Sequence, residues 1–261
     1  MREYKKKSKA IPLNFTRVRL VLAYLWFMMR RSNFSSGWKR GLALACWLSS
    51  GLAGVWGQSV ADVQLAVLQY RGGGDWYANP TAVPNLVRFC NEEMGMSLSS
   101  TGPFVEVGSP DLVNYPWIRM TGHRNVVFSN REAEQLRTYL KSGGFLHISD
   151  NYGMDAFVRS AMAKVFPDQD WVEVPFDHPV YHQKFGFDEG LPKVHEHDDL
   201  PPRGLGLFVD GRLVCFYDVE CDLGDGWEDY QVHRDPEEVR RAALQMGANL
   251  IRYAMGGADE L

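Results

Sequence analysis

Cysteine is scarce in this chain, and disulfide bonding cannot organise it. Of four cysteines in 261 residues, only Cys90, Cys215 and Cys221 follow residue 57. Three thiols pair at most once, which excludes the disulfide framework of a small secreted scaffold. Long apolar runs are missing too. The stretch VRLVLAYLWFMM at 18–29 falls short of the roughly twenty apolar residues that cross a bilayer. There is no internal repeat, low-complexity linker, P-loop, dinucleotide fingerprint or G-x-S-x-G elbow. The chemistries those motifs define are thereby excluded, and no cofactor is expected.

Acidic residues are almost absent from one end. Residues 1–57 hold 11 of the 28 Lys+Arg and one of the 32 Asp+Glu. Within them, Lys39 and Arg40 precede the apolar run GLALACWLSSGLAGVWG. A charged start, about fifteen apolar residues and a small residue before a polar one form a secretory signal peptide, with cleavage expected between Gly57 and Gln58. Basic residues of a signal lie close to its start, so translation is expected from Met28 or Met29, with 1–27 an extension. Cys46 lacks the preceding Leu of a lipidation box, so no lipid anchor is expected. The expected product is periplasmic or secreted, a single α/β domain over 58–261.

That remainder carries 17 basic against 31 acidic residues, a formal charge of −14. Such a charge repels nucleic acid and anionic lipid, and neither is expected as a partner; nor is a membrane span in the mature chain. About 200 residues suffice for a sizeable core.

Strand and helix signals alternate. The near-continuous apolar run 63–70 suits a strand covered on both faces. VPNLVRFCNEEMG reads as a helix ending at Gly95, and WIRM at 117–120 as a short strand. Ser129 and Glu132 form a capping box, with Ala133, Leu136 and Leu140 on one face. Gly143 and Gly144 stop that helix, FLHI is a strand, and a helix spans about 154–166. WVEV is a strand, Asp210-Gly211 turns a hairpin, and Asp235-Pro236 caps a last helix running to about Met255. This order predicts a mostly parallel, doubly wound sheet with an added hairpin.

In such a sheet ligands bind beyond the carboxyl ends of the strands. The loops expected there are rich in Gly, carboxylates, His and Trp: Gly72 to Tyr77, Thr121-Gly122-His123, Ser149-Asp150-Asn151, FDHPVYH and DLGDGWED. The three glycines 72–74 read as a tight turn presenting Asp75, Trp76 and Tyr77. His123 is either a general acid/base or a loop-holding donor. Trp227 either stacks on a sugar or covers the sheet. Asp150 is either a functional carboxylate or part of the next helix cap, with Asn151 beside it. Ser149 could serve as a nucleophile only with His123 or His178 in reach. As metal ligands, His178 and His182 would join Asp177 and the carboxylates of HEHDD, but the spacing matches no recognised set and no metal is expected. HEHDD at 195–199 reads as a solvated loop.

Taken together, YRGGGDWY, NYPWIRMTGH, YLKSGGFLHISDN, FDHPVYH and DLGDGWE resemble a bacterial family known as domain of unknown function 4159. That family is similar to the class I glutamine amidotransferase-like superfamily, which includes ThuA-like proteins. The resemblance implies a flavodoxin-like three-layer sandwich over about 62–256 and export. It departs at Arg124, Asn151 and Asp225, where Gly, Asp and Cys are expected. The amidotransferase Cys is missing from the exit of the FLHI strand, which excludes ammonia transfer from glutamine. A polar ligand, carbohydrate-like or from the cell envelope, is then expected among Gly74, Asp75, Trp76, Tyr77, Gly122, Asn151, Asp177 and Trp227. If the site is catalytic, Asp150 is its base and His123 or His178 its acid. The rival readings are an envelope scaffold that docks a protein partner and a metal-dependent hydrolase.

Overall fold

The computed structural model describes residues 63–256. The signal-like segment, Met28, Met29 and Cys46 lie outside those residues. Four central strands are β1 (Ala66–Gln69), β3 (Trp117–Gly122), β4 (Phe145–Asp150) and β7 (Arg212–Val219). Every residue of β3 and β4 is buried, as strands covered on both faces must be.

The seven-stranded sheet runs β2-β1-β3-β4-β7-β6-β5, with β2 at Phe104–Glu106, β5 at Val172–Glu173 and β6 at Arg203–Val209. The first five strands pair in parallel, whereas β6 is antiparallel to both of its neighbours. The architecture is therefore a flavodoxin-like α/β sandwich with an antiparallel margin. The expected hairpin is real, turning through Asp210 (φ 51°) and Gly211 (φ 81°), but its second strand lies inside the parallel sheet beside β4. Edge strand β2 escaped the sequence reading, because three residues give no period to detect.

Two layers of helix cover the sheet. Helices α1 (Ala82–Met94) and α6 (Glu237–Ala254) bury Leu86, Phe89, Cys90, Met246 and Leu250 in one core with Trp117, Phe145 and Phe216. Helices α2 (Asn130–Lys141) and α3 (Asp155–Val165) bury Leu136, Leu140, Val158 and Met162 in the other, with Ile118, Ile148 and Tyr217. Strand alternation divides neighbouring residues between the layers. Short helices α4 (Leu223–Gly226) and α5 (Tyr230–His233) join β7 to α6. No helix among the described residues is long and apolar enough to cross a membrane.

The local signals hold where backbone chemistry decides. Gly95 ends α1 in the left-handed region at φ 64°. At α2, the Glu132 N–H donates to Ser129 Oγ and the Ser129 N–H donates to Glu132 Oε2. At α6 the expectation fails: no side chain caps it, and Asp235 turns instead toward His195. Replacing Ser129 by Ala removes one half of the capping box on an exposed turn. A loss of about 1 kcal/mol is expected in chemical denaturation, with the denaturant slope unchanged.

Candidate functional site

The chain leaves β1 toward α1 on one face and leaves β3 toward α2 on the other. The carboxyl ends of β1 and β3 therefore border the topological switch point, where this class of sheet opens a crevice. Asp75, from the loop after β1, meets His123, from the loop after β3. The His123 backbone N–H donates to Asp75 Oδ1 at 2.6 Å, and the ring Nδ1 lies 2.9 Å from Oδ2. Partial burial works upward on the Asp75 pKa, but the two His123 hydrogen bonds outweigh it and hold the carboxyl below its usual range. With Nδ1 donating to that carboxylate, Nε2 is left as an acceptor.

Gly73, Asp75, His123 and Arg124 line a hollow of about 390 Å³ there. Gly122 makes the approach possible: at φ 139°, a Cβ would lie 2.3 Å from Tyr70 Oη and 3.1 Å from the Asp75 carbonyl. Gly74 donates its N–H to the Asn125 carbonyl at 3.1 Å, so it braces the loop. Trp76 packs edge-on against Phe104 at 4.9 Å, while Tyr77 is 61% exposed beside it.

At the exit of β4, alternation sends Ser149 and Asp150 to opposite faces. Asp150 accepts from the Met154 N–H at 3.1 Å and the Tyr217 hydroxyl at 3.2 Å. It ties the loop to the start of α3, and burial raises its pKa. Ser149 is buried and donates to Asp218 Oδ1 at 3.1 Å, so no free nucleophile stands at this elbow. Asn151 accepts from Thr121 Oγ1 at 3.0 Å and donates to Asn79 Oδ1 at 3.1 Å. Asn79 in turn donates to Asp225 Oδ1 at 2.5 Å.

Three expected ligand contacts lie elsewhere. After β5 the chain folds back over the sheet toward the far end of α6. There His178 packs against Phe208 and Tyr253, with ring centroids 5.9 and 5.5 Å away. Its Nδ1 accepts from the Val180 N–H, and burial lowers its pKa. His178 and the adjoining Asp177 are thus remote from the rim that holds Asp75 and Asp150. Trp227 is fully buried, donating Nε1–H to the Ala243 carbonyl at 2.8 Å, and offers no face to a ligand.

What sequence reasoning missed is a polar stripe on the α1/α6 face. Arg119, Thr121, His147, Ser149 and Asp218 are all fully buried across β3, β4 and β7. His147 Nε2 lies 2.6 Å from Asp218 Oδ2, and the Arg119 guanidinium sits 5.4 Å from the Trp227 ring. Burial lowers the Arg119 pKa to about 10 against the upward pull of Asp225, Asp218 and Glu228, so it stays charged. A Cβ on Gly224 would come within 1.8 Å of Arg119 Nη2, which explains one glycine of DLGDGWED.

The HEHDD loop is not simply solvated. His195 and His197 turn toward the segment after β7. His195 Nδ1 is 3.1 Å from Asp225 Oδ2 and 3.6 Å from Asp222 Oδ2, and its Nε2 is 3.0 Å from Asp235 Oδ1. Hydrogen bonding to Asp222, then Asp225, pushes the His195 pKa up to about 10. The available signal was the His-x-His spacing, which puts both rings on one side of an extended segment.

Two stability tests follow from these contacts. Replacing Asp150 by Ala strands the buried Met154 N–H, while the Tyr217 hydroxyl keeps Asp155 Oδ1 at 3.1 Å, and a loss of about 1–3 kcal/mol is expected in chemical denaturation. Burial depresses the His147 pKa below its ordinary value near 6.5. Between the two values the unfolded chain binds a proton that the native chain refuses, so His147 costs stability as pH falls below about 6.5. His147→Gln keeps a donor for Asp218 and removes the titration. Measured against wild type across pH 4–8, the variant is expected to lose less stability on the acid side.

No curated protein matches this chain. The model of the family described as domain of unknown function DUF4159 matches residues 64–255. With the match extending through every strand and helix of the sheet, this chain belongs to that family.

Proposed function

We propose that this is an exported domain of the glutamine amidotransferase-like kind, without amidotransferase chemistry, that binds a small polar ligand at the carboxyl rim of its sheet. The observation that carries this reading is the Asp75–His123 pair at the switch point, open to a hollow that Arg124 also lines. The carboxylate orients the imidazole, so Nε2 accepts a hydroxyl proton while the guanidinium attracts an anionic substituent. A hydroxylated, acidic ligand, such as a uronic-acid sugar or a cell-envelope fragment, matches that set. The β4 exit supports the same view: it carries no Cys, and the Ser149 hydroxyl is already committed to Asp218.

If the ligand turns over, His123 is the proton-transferring group and Asp75 its positioning partner. Asp150 is buried among Met154, Tyr217 and Asp155, which suits a structural carboxylate better than a base.

Acidic monosaccharides and envelope oligosaccharides, screened by thermal shift against the full chain, are expected to raise the melting temperature of wild type. The Asp75→Asn and His123→Ala variants should lose that response while remaining folded, with a stability loss of about 1 kcal/mol from the missing Asp75–His123 hydrogen bonds. An undiminished response in both variants would remove the pocket from consideration. Export is checked separately, by fusing residues 1–57 to a reporter that is active only outside the cytoplasm.

A further inference from the structure

A second constellation lies on the same rim, built from side chains the Asp75–His123 pocket does not use. His195 Nδ1, Asp225 Oδ2 and His233 Nε2 converge: the carboxylate oxygen is 3.1 Å from the first nitrogen and 3.8 Å from the second. One ligand atom from each of the three residues falls within 4.8 Å of the others. Ligand atoms bound tetrahedrally at about 2.0–2.1 Å lie about 3.3 Å apart, so these gaps need only small adjustments to close around one ion.

The groups behind these atoms are arranged as metal ligands require. The second His195 nitrogen, Nε2, sits 3.0 Å from Asp235 Oδ1, the carboxylate–histidine relay that orients a ligating imidazole. The second Asp225 oxygen, Oδ1, is held by Asn79 Nδ2 at 2.5 Å, which leaves Oδ2 turned toward the two rings. Two buried carboxylate oxygens beside these rings lack a hydrogen-bond partner. Asp222 is 1% exposed; its Oδ2 pairs with His197 Nε2 and lies 3.6 Å from His195 Nδ1, while its Oδ1 has no hydrogen-bond partner. Asp235 Oδ2 is likewise buried without one. The imidazoles offset part of the charge of these three carboxylates, and an ion seated between them would offset the rest.

We propose that His195, Asp225 and His233 bind one divalent ion of the zinc class, with Asp222 as a fourth ligand and Asp235 and Asn79 as the outer groups that orient the set. Two imidazoles with carboxylates select a borderline transition ion over magnesium or calcium, which prefer oxygen alone. The site stays open to solvent on the His233 side, where that ring is 29% exposed. This inference goes beyond the pocket reading and does not rest on it.

The test is zinc titration of the full, chelator-treated chain, with competition by a chromogenic chelator to report affinity and stoichiometry. One equivalent per chain is expected, with magnesium unable to compete. His233→Ala, on an exposed turn whose loss leaves the core untouched, should weaken zinc at least 100-fold. Asp235→Asn should weaken it about 10- to 100-fold. His182→Ala, at the far end of the molecule, and Asp75→Asn should change nothing, so loss of zinc binding and loss of the pocket are separable. Circular dichroism confirms that each variant is folded. Zinc affinity that is unchanged in folded His233→Ala, absent from wild type, or matched by magnesium would overturn the proposal. Absence of zinc binding together with a rise in metal-free stability of Asp222→Asn would identify the cluster as proton-bridged carboxylates.

Discussion

A single buried cation organises the functional end of this molecule. Arg119 projects from β3 into the α1/α6 layer with no solvent exposure, donates Nη2 to Thr121 Oγ1 at 3.2 Å and faces Asp218, Asp225 and Glu228. Among the described residues it makes no ion pair, and its Nε and Nη1 are buried without a hydrogen-bond partner, so Coulomb attraction to those carboxylates at longer range is what compensates it. Those carboxylates come from β7 and from the segment just beyond it, so the charge favours that segment's position over the α1/α6 face. Gly224 passes where a side chain would collide with the guanidinium, and Trp227 closes the far side of it.

Once placed, residues 222–229 fix their neighbours. Glu228 accepts from the Thr81 and Ala82 N–H groups at 2.9 and 3.0 Å and from Thr81 Oγ1 at 2.8 Å. It thereby supplies α1 with the cap that its own Thr81 does not provide. Asn85, in the first turn of α1, donates to the Trp227 carbonyl and to Asp229, pinning helix to loop. On the outer side, the same segment presents Asp222 and Asp225 to the histidines of the HEHDD loop.

The two candidate centres therefore have different foundations. The Asp75–His123 pair depends on close backbone approach at Gly122 and on where the winding of the sheet reverses. The His195 cluster depends on the charge balance around Arg119. A hydrogen-bond chain from Thr121 through Asn151 and Asn79 to Asp225 links the end of β3 to the loops beyond β4, β1 and β7. A ligand that orders one loop is thus mechanically connected to the others.

Elements whose signals are local could be read from the chain alone. The capping box at Ser129, the Gly95 stop, the Asp210-Gly211 turn and the amphipathic stripes of α1, α2 and α3 each depend on residues within a few positions. Alternation of those elements was enough to determine the layered α/β class, and the polar loops at strand exits marked the rim where Asp75, His123, Asp150 and Asn151 lie. Tertiary structure alone decided which polar residues meet. His178 and Trp227 looked as eligible as His123, but a chain reversal took one to the far end and packing buried the other. Asp235 has the sequence of a helix cap, yet its carboxylate turns to a histidine forty residues earlier. Arg119 reads as one charge in an apolar strand, and its carboxylate neighbours lie about a hundred residues away. Charge compensation in a low-dielectric interior acts through space, so no window of sequence contains it.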